Sequence, residues 1–505
     1  MAESEQGAGG GSPPSFEDTL VLDFVASPPP DEFAVLVEIG ARLQPAPAEA
    51  GLKLGQQIEI VDKADREGRD LLQRMEARFL DLSREAESPE RIKVWEAAST
   101  YATQLASAYL HLVRQFQTYS KGWSEVGDRI PLVVARALRA TSVRLKWQLM
   151  RYLPVEKALW QTLAQLWAYV EDKGMTGARV LVYEDKSTLQ REFLKPLMLA
   201  VSGADSLPPP ELDIADRITR HLDDRFELQR YAAKGCHFYV DIDQWTPPAR
   251  FTSGTQVKLG SRFFGPGSAV AELEQISAGI AAGEMSPRDA NLEGVTDLEP
   301  VIEVLTHLGS HWWIRRQERT DPRRRTQSQI GVIQGFEEIV ARLSTGSPPT
   351  EALEPGVETW GVENESEGGY GAVLPIAKGE HLRVGEVLGV KPAESRDWAV
   401  GIVRRLTAQD GSRRYIGIQL LARGARIVNL QQSGKGSTAL MLPSQAADSV
   451  NQGEISLLLP AGSFSPDAKL EMEVFGRHYT LEPRMLIENG DDFDMARFRI
   501  VEGKS

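Results

Sequence analysis

Arg315-Arg316-Gln317-Glu318-Arg319-Thr320-Asp321-Pro322-Arg323-Arg324-Arg325 divides the chain into two kinds of pattern. Before it, apolar residues recur at the helical period of 3.6; after it, from Ile330, they alternate at a period of about two, as strands require. Helices first and strands second is an α+β layout in separate domains. The stretch itself packs six arginines into eleven residues of a 505-residue chain whose formal net charge is −14. Such a cluster repels itself, and a bound anion is the usual reason for keeping it. Guanidinium forks pair bidentately with phosphate oxygens and with the O6/N7 edge of guanine, and they stack on flat rings. Downstream, Asn364-Glu365-Ser366-Glu367-Gly368-Gly369 supplies what arginine lacks: an amide, a hydroxyl, and two glycines that let backbone approach a ligand closely. One arginine turn and one Asn-x-Ser-x-x-Gly turn outline a purine-nucleotide site.

Arg319-x-x-x-Arg323, with Pro322 just before the second arginine, followed by Asn364-x-Ser366-x-x-Gly369, resembles the signature of PilZ domains. These are small antiparallel β-barrels that bind cyclic di-GMP, and the resemblance covers residues 315–425. It implies that Arg319 and Arg323 clamp phosphate and guanine, while Asn364, Ser366 and Gly369 hold the other base face. Arg315/Arg319 fits the same spacing, so Arg315, Arg316, Arg324, Arg325 and Gly368 stay in the candidate set, with Pro322-Arg323 favouring the Arg319/Arg323 register. The amide oxygen of Asn364 can accept from guanine N1–H or N2–H, and its NH2 can meet O6 or N7. Ser366 donates to a guanine acceptor or braces the turn, and Gly369 is expected at positive φ. The family more often has Asp where Asn364 stands; Asn keeps the acceptor and drops a charge, which implies weaker affinity.

Composition bounds the rest. A chain this long exceeds one core, so two or three domains are expected. The hydrophobic (42%) and charged (25%) fractions are ordinary for a globular protein. A pI near 5.2 argues against general affinity for nucleic-acid polymers, including RNA and single-stranded DNA, because no excess of cations displaces their counterions. The arginine cluster is a local site in an acidic chain, which suits a small anion. Cys236 is the single cysteine, so no internal disulfide or cysteine-zinc cluster forms, as in a reducing compartment. Residues 1–14 lack a signal-peptide layout, and Ile130–Val170, the most apolar region, is interrupted by Arg136, Arg139, Arg144, Lys146, Arg151 and Lys157. The expectation is a cytoplasmic protein with no membrane span.

Residues 1–30 read as a disordered tail. Residues 31–235 read as an α-helical bundle or array, with helices over Gln56–Ala86, Pro89–Tyr119, Ile130–Arg151, Val155–Tyr169, Glu184–Ala200 and Glu211–Ala233. Residues 236–312 read as a mixed connecting region: a short strand at His237–Ile242, then amphipathic segments at Ala269–Ala282 and Asp297–Gly309. Residues 313–430 read as the PilZ-like β-barrel, with strands at Gly331–Ile333, Gly371–Pro375, Leu382–Val390, Trp398–Leu406 and Tyr415–Leu421, and a hairpin signal at Asp410-Gly411. A helix over Gly335–Ser344 and a proline-rich run to Gly356 separate the two motifs. Residues 431–505 read as a β-rich C-terminal extension packing on the barrel or on a partner.

Other constellations carry less. His307-x-x-x-His311 with Glu303 one turn earlier has metal-like spacing but no general-base glutamate between the histidines, and reads as a helix face. Cys236 and His237 are strand neighbours and point to opposite faces, so they make no nucleophile pair. No Gly-x-Ser-x-Gly, P-loop or dinucleotide fingerprint is present. The expectation is therefore a receptor without catalytic residues, metal or cofactor. Its ligand is cyclic di-GMP, and its helical region meets a protein partner. The competing expectation is a scaffold or chaperone-like adaptor whose degenerate barrel meets an acidic protein surface.

Overall fold

The structure, a computed structural model, describes residues 31–44, 52–83, 88–118, 126–313, 323–345, 356–379, 381–393, 395, 397–408, 412–432, 434–443, 453–474 and 477–502. The tail 1–30, Arg315, Arg316, Arg319 and the Asp410-Gly411 turn lie outside these residues.

The helical unit comprises α1 (Glu32–Arg42), α2 (Leu54–Leu82), α3 (Pro89–Thr118), α4 (Ile130–Leu149), α5 (Lys157–Asp172), α6 (Leu189–Ala200), α7 (Pro209–His221), α8 (Ala269–Ala281) and α9 (Glu299–Trp312). Two small sheets are set among them: the hairpin β1 (Arg179–Val182) and β2 (Asp185–Thr188), and β3 (Glu227–Gln229), β4 (Phe238–Asp241), β5 (Ala249–Arg250) and β6 (Ser261–Gly265) in the order β3-β6-β4-β5. One hydrophobic core runs from Leu36 to Trp312, so residues 236–312 contribute Phe238, Val240, Phe264 and Leu305 to the same interior as the preceding helices.

Helix α4 lies at the centre of this unit, buried nearly all round. The charges that interrupt its apolar run are neutralised inside, as burial demands. Arg139 grips Glu192 at 2.8 and 2.9 Å and Asp185 at 2.9 Å. Lys146 meets Glu76, Asp213 and Asp216. Burial alone would raise the Glu192 carboxyl, but Arg139 and Lys195 hold it down to about 2. No helix among the described residues is long and apolar enough to cross a membrane.

Two helical expectations are corrected. The run Glu184–Ala200 is a strand followed by a helix: Thr188 caps α6 by accepting from the Arg191 N–H at 3.3 Å. Before it, Tyr183 turns the β1–β2 hairpin at φ 59°, its hydroxyl bound to Asp65 at 2.7 Å. Local propensity yields here to the tertiary hold on Tyr183. The run Glu211–Ala233 stops being helical after His221, and Glu227–Gln229 pairs with β6 instead.

The first barrel is built from β7 (Arg324–Gln334), β8 (Glu358–Ser366), β9 (Gly369–Pro375), β10 (Val387–Pro392), β11 (Ala399–Ala408) and β12 (Arg413–Arg423). It closes in the order β7-β8-β9-β12-β11-β10, every pairing antiparallel. Helix α10 (Phe336–Thr345) follows β7. Ile330, Trp360, Val362, Ala372, Val403, Ile416 and Ile418 fill the interior.

The C-terminal extension is a second closed barrel. Strands β13 (Arg426–Gln432), β14 (Lys435–Leu442), β15 (Glu454–Pro460), β16 (Leu470–Val474), β17 (Arg477–Asn489) and β18 (Phe493–Glu502) close as β13-β14-β15-β18-β17-β16. Closure removes the edges that short strands would otherwise expose. The barrels share a third core, in which Ile333, Ile339, Val400 and Ile402 of the first meet Leu440, Leu458 and Phe493 of the second.

Contacts among the described residues tie the helical unit to the first barrel. Tyr152, at φ 54° after α4, packs among the barrel's core residues and donates to the Leu207 carbonyl at 3.0 Å. Buried Arg414 donates to the carbonyls of Gly379 and Arg151. Asp205 accepts from Arg405 Nε at 2.9 Å and Thr407 Oγ1 at 3.1 Å.

Candidate functional site

Strand alternation in β12 sends Arg414, Ile416 and Ile418 inward and Arg413, Tyr415 and Gly417 outward. In β8, Trp360 and Val362 point inward, and uninterrupted alternation would bury Asn364 in the barrel. A register shift intervenes between Val362 and Asn364: Val362 lies opposite Ala372 and Asn364 opposite Gly371. The irregularity resets the phase, as bulges do, and Asn364 emerges on the outer face beside Tyr415.

There the two sequence motifs meet. Asn364 Nδ2 donates to Tyr415 Oη at 2.7 Å, and Arg323 Nη1 donates to the same oxygen at 2.9 Å. Arg323 is exposed, whereas Asn364 and Tyr415 are half-buried. Asn364 Oδ1 is buried and has no hydrogen-bond partner among the described residues. One of the two N–H groups of its NH2, which the sequence reading offers to guanine O6 or N7, is engaged by Tyr415.

Arg324 and Arg325 begin β7, opposite Glu365 and Asn364, and both are exposed. Ser366 and Gly369 pair across the tip of the β8–β9 hairpin, with Ser366 Oγ 3.5 Å from the Gly369 carbonyl. The Gly368 carbonyl accepts from the Leu420 N–H at 2.8 Å, and that of Glu367 from Arg423 at 3.0 Å, so β12 holds the turn. Gly369 is not at positive φ, contrary to the sequence expectation. Its need for glycine is steric: a Cβ there would lie 2.0 Å from the Ile418 carbonyl oxygen. Gly371 is likewise constrained, since a Cβ would lie 2.0 Å from Tyr415 Oη and 2.6 Å from both amide atoms of Asn364.

Tyr415 is the residue that reading the sequence for motifs misses. Its one signal is a phenol at an outward position of the apolar run Ile416-Gly417-Ile418. The His307/His311 pair behaves differently: its rings stack at 4.1 Å, and His307 Nε2 lies 2.7 Å from the Ser202 carbonyl. Burial, then the neighbouring His311, pushes His307 down to about 4.

Two family models match this chain. One, described as the N-terminal domain of the cyclic-di-GMP receptor FimW, covers residues 33–233; the other, described as the middle PilZ domain of that receptor, covers residues 342–426. The second match includes the Asn364–Gly369 turn and Tyr415 and begins after Arg323. Among curated proteins, the cyclic-di-GMP receptor FimW of Pseudomonas aeruginosa is 21% identical over 421 residues, 68% of this chain and 68% of that protein.

Proposed function

Because this chain belongs to the PilZ-domain family, we propose that it is a receptor for cyclic di-GMP, bound on the outer face of the first barrel, and that its helical unit carries the output to a protein partner. The observation that carries the reading is the convergence of Arg323 and Asn364 on Tyr415, which brings the two sequence motifs together on one face. Guanidinium supplies the counter-charge for phosphate and a flat surface for guanine. The amide oxygen suits guanine N1–H and N2–H. In this assignment Arg319 and Arg323 clamp the ligand, and Ser366 and Gly369 shape the turn against which it lies. Arg315, Arg316, Arg324, Arg325 and Gly368 form the surrounding reserve.

Output follows from strand geometry. Tyr415 is the immediate neighbour of Arg414, which holds the Arg151 carbonyl of the helical unit. It also pairs with Thr407, whose hydroxyl holds Asp205. Ligand that engages Arg323 beside Tyr415 therefore acts on a strand pair already bonded to the helices. A cleft of about 720 Å³ between Tyr152, Trp160, Asp205, His311 and Thr407 leaves room for that junction to repack. A ligand shifts the junction only by its differential affinity for the two arrangements.

The test is calorimetric titration of cyclic di-GMP into the full chain, beside an Arg319→Ala/Arg323→Ala variant. Saturable binding in the parent and none in the variant supports both the receptor and the arginine register. Binding retained in the variant moves the clamp to Arg315 or Arg324–Arg325. No heat and no thermal shift in the parent refutes the receptor and favours the adaptor. A steep loss of binding with salt would point instead to a polymer ligand.

A further inference from the structure

We propose that Arg405 is a further phosphate-binding residue of this site, facing the Arg323–Tyr415–Asn364 cluster across a floor of glycines; the proposal rests on the cyclic-dinucleotide reading above. Strand register places it there. Asn364 of β8 lies opposite Gly371 of β9, Gly371 opposite Gly417 of β12, and Gly417 opposite Arg405 of β11. Residues paired across strands share a face of the sheet. That face is the outer one: a Cβ on Gly371 would point at Tyr415 Oη and the Asn364 amide, and one on Gly417 would lie 3.2 Å from Arg405 Cβ. Val403 and Leu406 are both interior, so the register shift between Val403 and Arg405 sends Arg404 and Arg405 outward together.

The two middle positions of this row carry no side chain. Tyr415 Oη, which Arg323 meets at 2.9 Å, stands over Gly371; over Gly417 the three nearest atoms all belong to Arg405. Two strand spacings, about 10 Å, separate Gly371 from Arg405. The row therefore offers one guanidinium at Tyr415 and a second at Arg405, with backbone between them. A cyclic dinucleotide carries two phosphates, and each can take its own guanidinium while the rest of the ligand lies along the glycines. Arg405 has the donors for this. Its neighbour Arg404 is fully engaged, with Nε on Gln419 and both Nη groups on Glu488. Arg405 places only Nε near a carboxylate, 2.9 Å from Asp205 Oδ2, and its side chain is 35% exposed. Its Nη1 and Nη2 make no hydrogen bond among the described residues, and these two groups form the fork that grips phosphate. Arg405 also lines the 720 Å³ cleft at the helical junction, which gives an anion access to it. Asp205 belongs to the helical unit, so a phosphate held at Arg405 reaches that unit through one side chain.

The experiment titrates cyclic di-GMP into the full-length parent, Arg405→Met and Asp205→Ala, with thermal melting of each as the check on folding. Methionine keeps an apolar stem and removes the fork. Arg405→Met should weaken binding about 10- to 100-fold, as expected for the loss of a charge-assisted pair. Asp205→Ala breaks the same ion pair from the other side, so it measures what losing the junction contact costs by itself, and its affinity should stay within about threefold of the parent. Equal weakening in the two variants would show that Arg405 acts only through the junction, which overturns the proposal. An Arg405→Met affinity within twofold of the parent overturns it as well. If the parent binds, Arg319→Ala/Arg323→Ala does not, and Arg405→Met is unmoved, this inference alone is refuted. A parent that does not bind refutes the receptor reading and this inference with it.

Discussion

Replacing Gly371 by alanine should separate binding from folding. The new methyl would lie 2.0 Å from Tyr415 Oη and 2.6 Å from both amide atoms of Asn364, far inside van der Waals contact. Tyr415 and Asn364 are both half-buried on the outer face, so the clash is relieved by swinging Tyr415 outward with a smaller shift of the Asn364 amide rather than by distorting the barrel. A retreat of about 1.5 Å takes Oη beyond hydrogen-bond reach of both Nδ2 and Arg323. The neutral bond is worth about 1 kcal/mol, and the exposed arginine bond contributes less than it would in a dry interior. Alanine in a strand recovers roughly 0.5–1 kcal/mol relative to glycine. The net cost to stability is therefore below about 1.5 kcal/mol, and the melting curve followed by circular dichroism should move by a few degrees at most. Affinity for cyclic di-GMP should nevertheless fall by about 10- to 100-fold, because Asn364 and Arg323 lose their common anchor. An affinity within twofold of the parent would refute the site geometry. A melting temperature lowered by more than about ten degrees would refute the claim that Tyr415 is the part that yields.

Other outcomes test the framework around the site. Lys146→Met leaves Glu76, Asp213 and Asp216 without their shared cation and should destabilise the helical unit by about 3–5 kcal/mol, read from thermal or urea unfolding; a cost under about 1 kcal/mol would show that water reaches the cluster. Asp205→Ala removes the acceptor for Arg405 and Thr407; cyclic di-GMP should still bind within about threefold, while ligand-dependent hydrogen exchange around residues 200–207 disappears. At the junction of helical unit and both barrels, burial and then Glu303, Glu488 and Asp491 push the Glu211 carboxyl up to about 7, and burial pushes Glu386 up to about 7 despite Arg383. Raised carboxyls stabilise the folded state fully below their ordinary value of 4.5 and lose that contribution as pH rises through 7. His307, held down to about 4, acts oppositely as pH falls below 6.5. The readout is therefore a difference: Glu211→Gln/Glu386→Gln should gain melting temperature relative to the parent between pH 5 and pH 8, and a constant difference across that range would refute the assignment.

Arginines set among the carboxylates hold that junction together. Arg404 holds Glu488 through a two-pronged contact, and Arg383 reaches Asp491 at 2.8 Å and the Ser83 carbonyl at 3.2 Å. One arginine thus spans the helical unit and the second barrel, and the other spans the two barrels. The three bodies are fastened by cations placed among carboxylates, by Tyr152 in the first barrel's core and by the apolar core between the barrels.

Much of this molecule was legible in the residues alone, because the signals concerned are local. The change of period near Ile330, Pro89 at the start of α3, and the spacing of Arg323, Asn364, Ser366 and Gly369 are properties of short stretches, and short-range sterics and hydrogen bonding decide them. The charges in α4 argued against a membrane segment, and Glu192, Asp213 and Asp216, from other helices, show where their counter-charges lie. Tertiary structure decided the rest. Closure of the second barrel depends on β13 finding β16, a pairing between distant segments that no local pattern announces. The register shift beside Asn364 arises from competition among ladders on both sides of β8, yet it alone turns that amide from the interior to the outer face. Tyr415 joins the site for the same reason: strand pairing brings its hydroxyl to Asn364, 51 positions away in the chain. Residue order set which chemical groups were available, while long-range backbone pairing set which of them could touch.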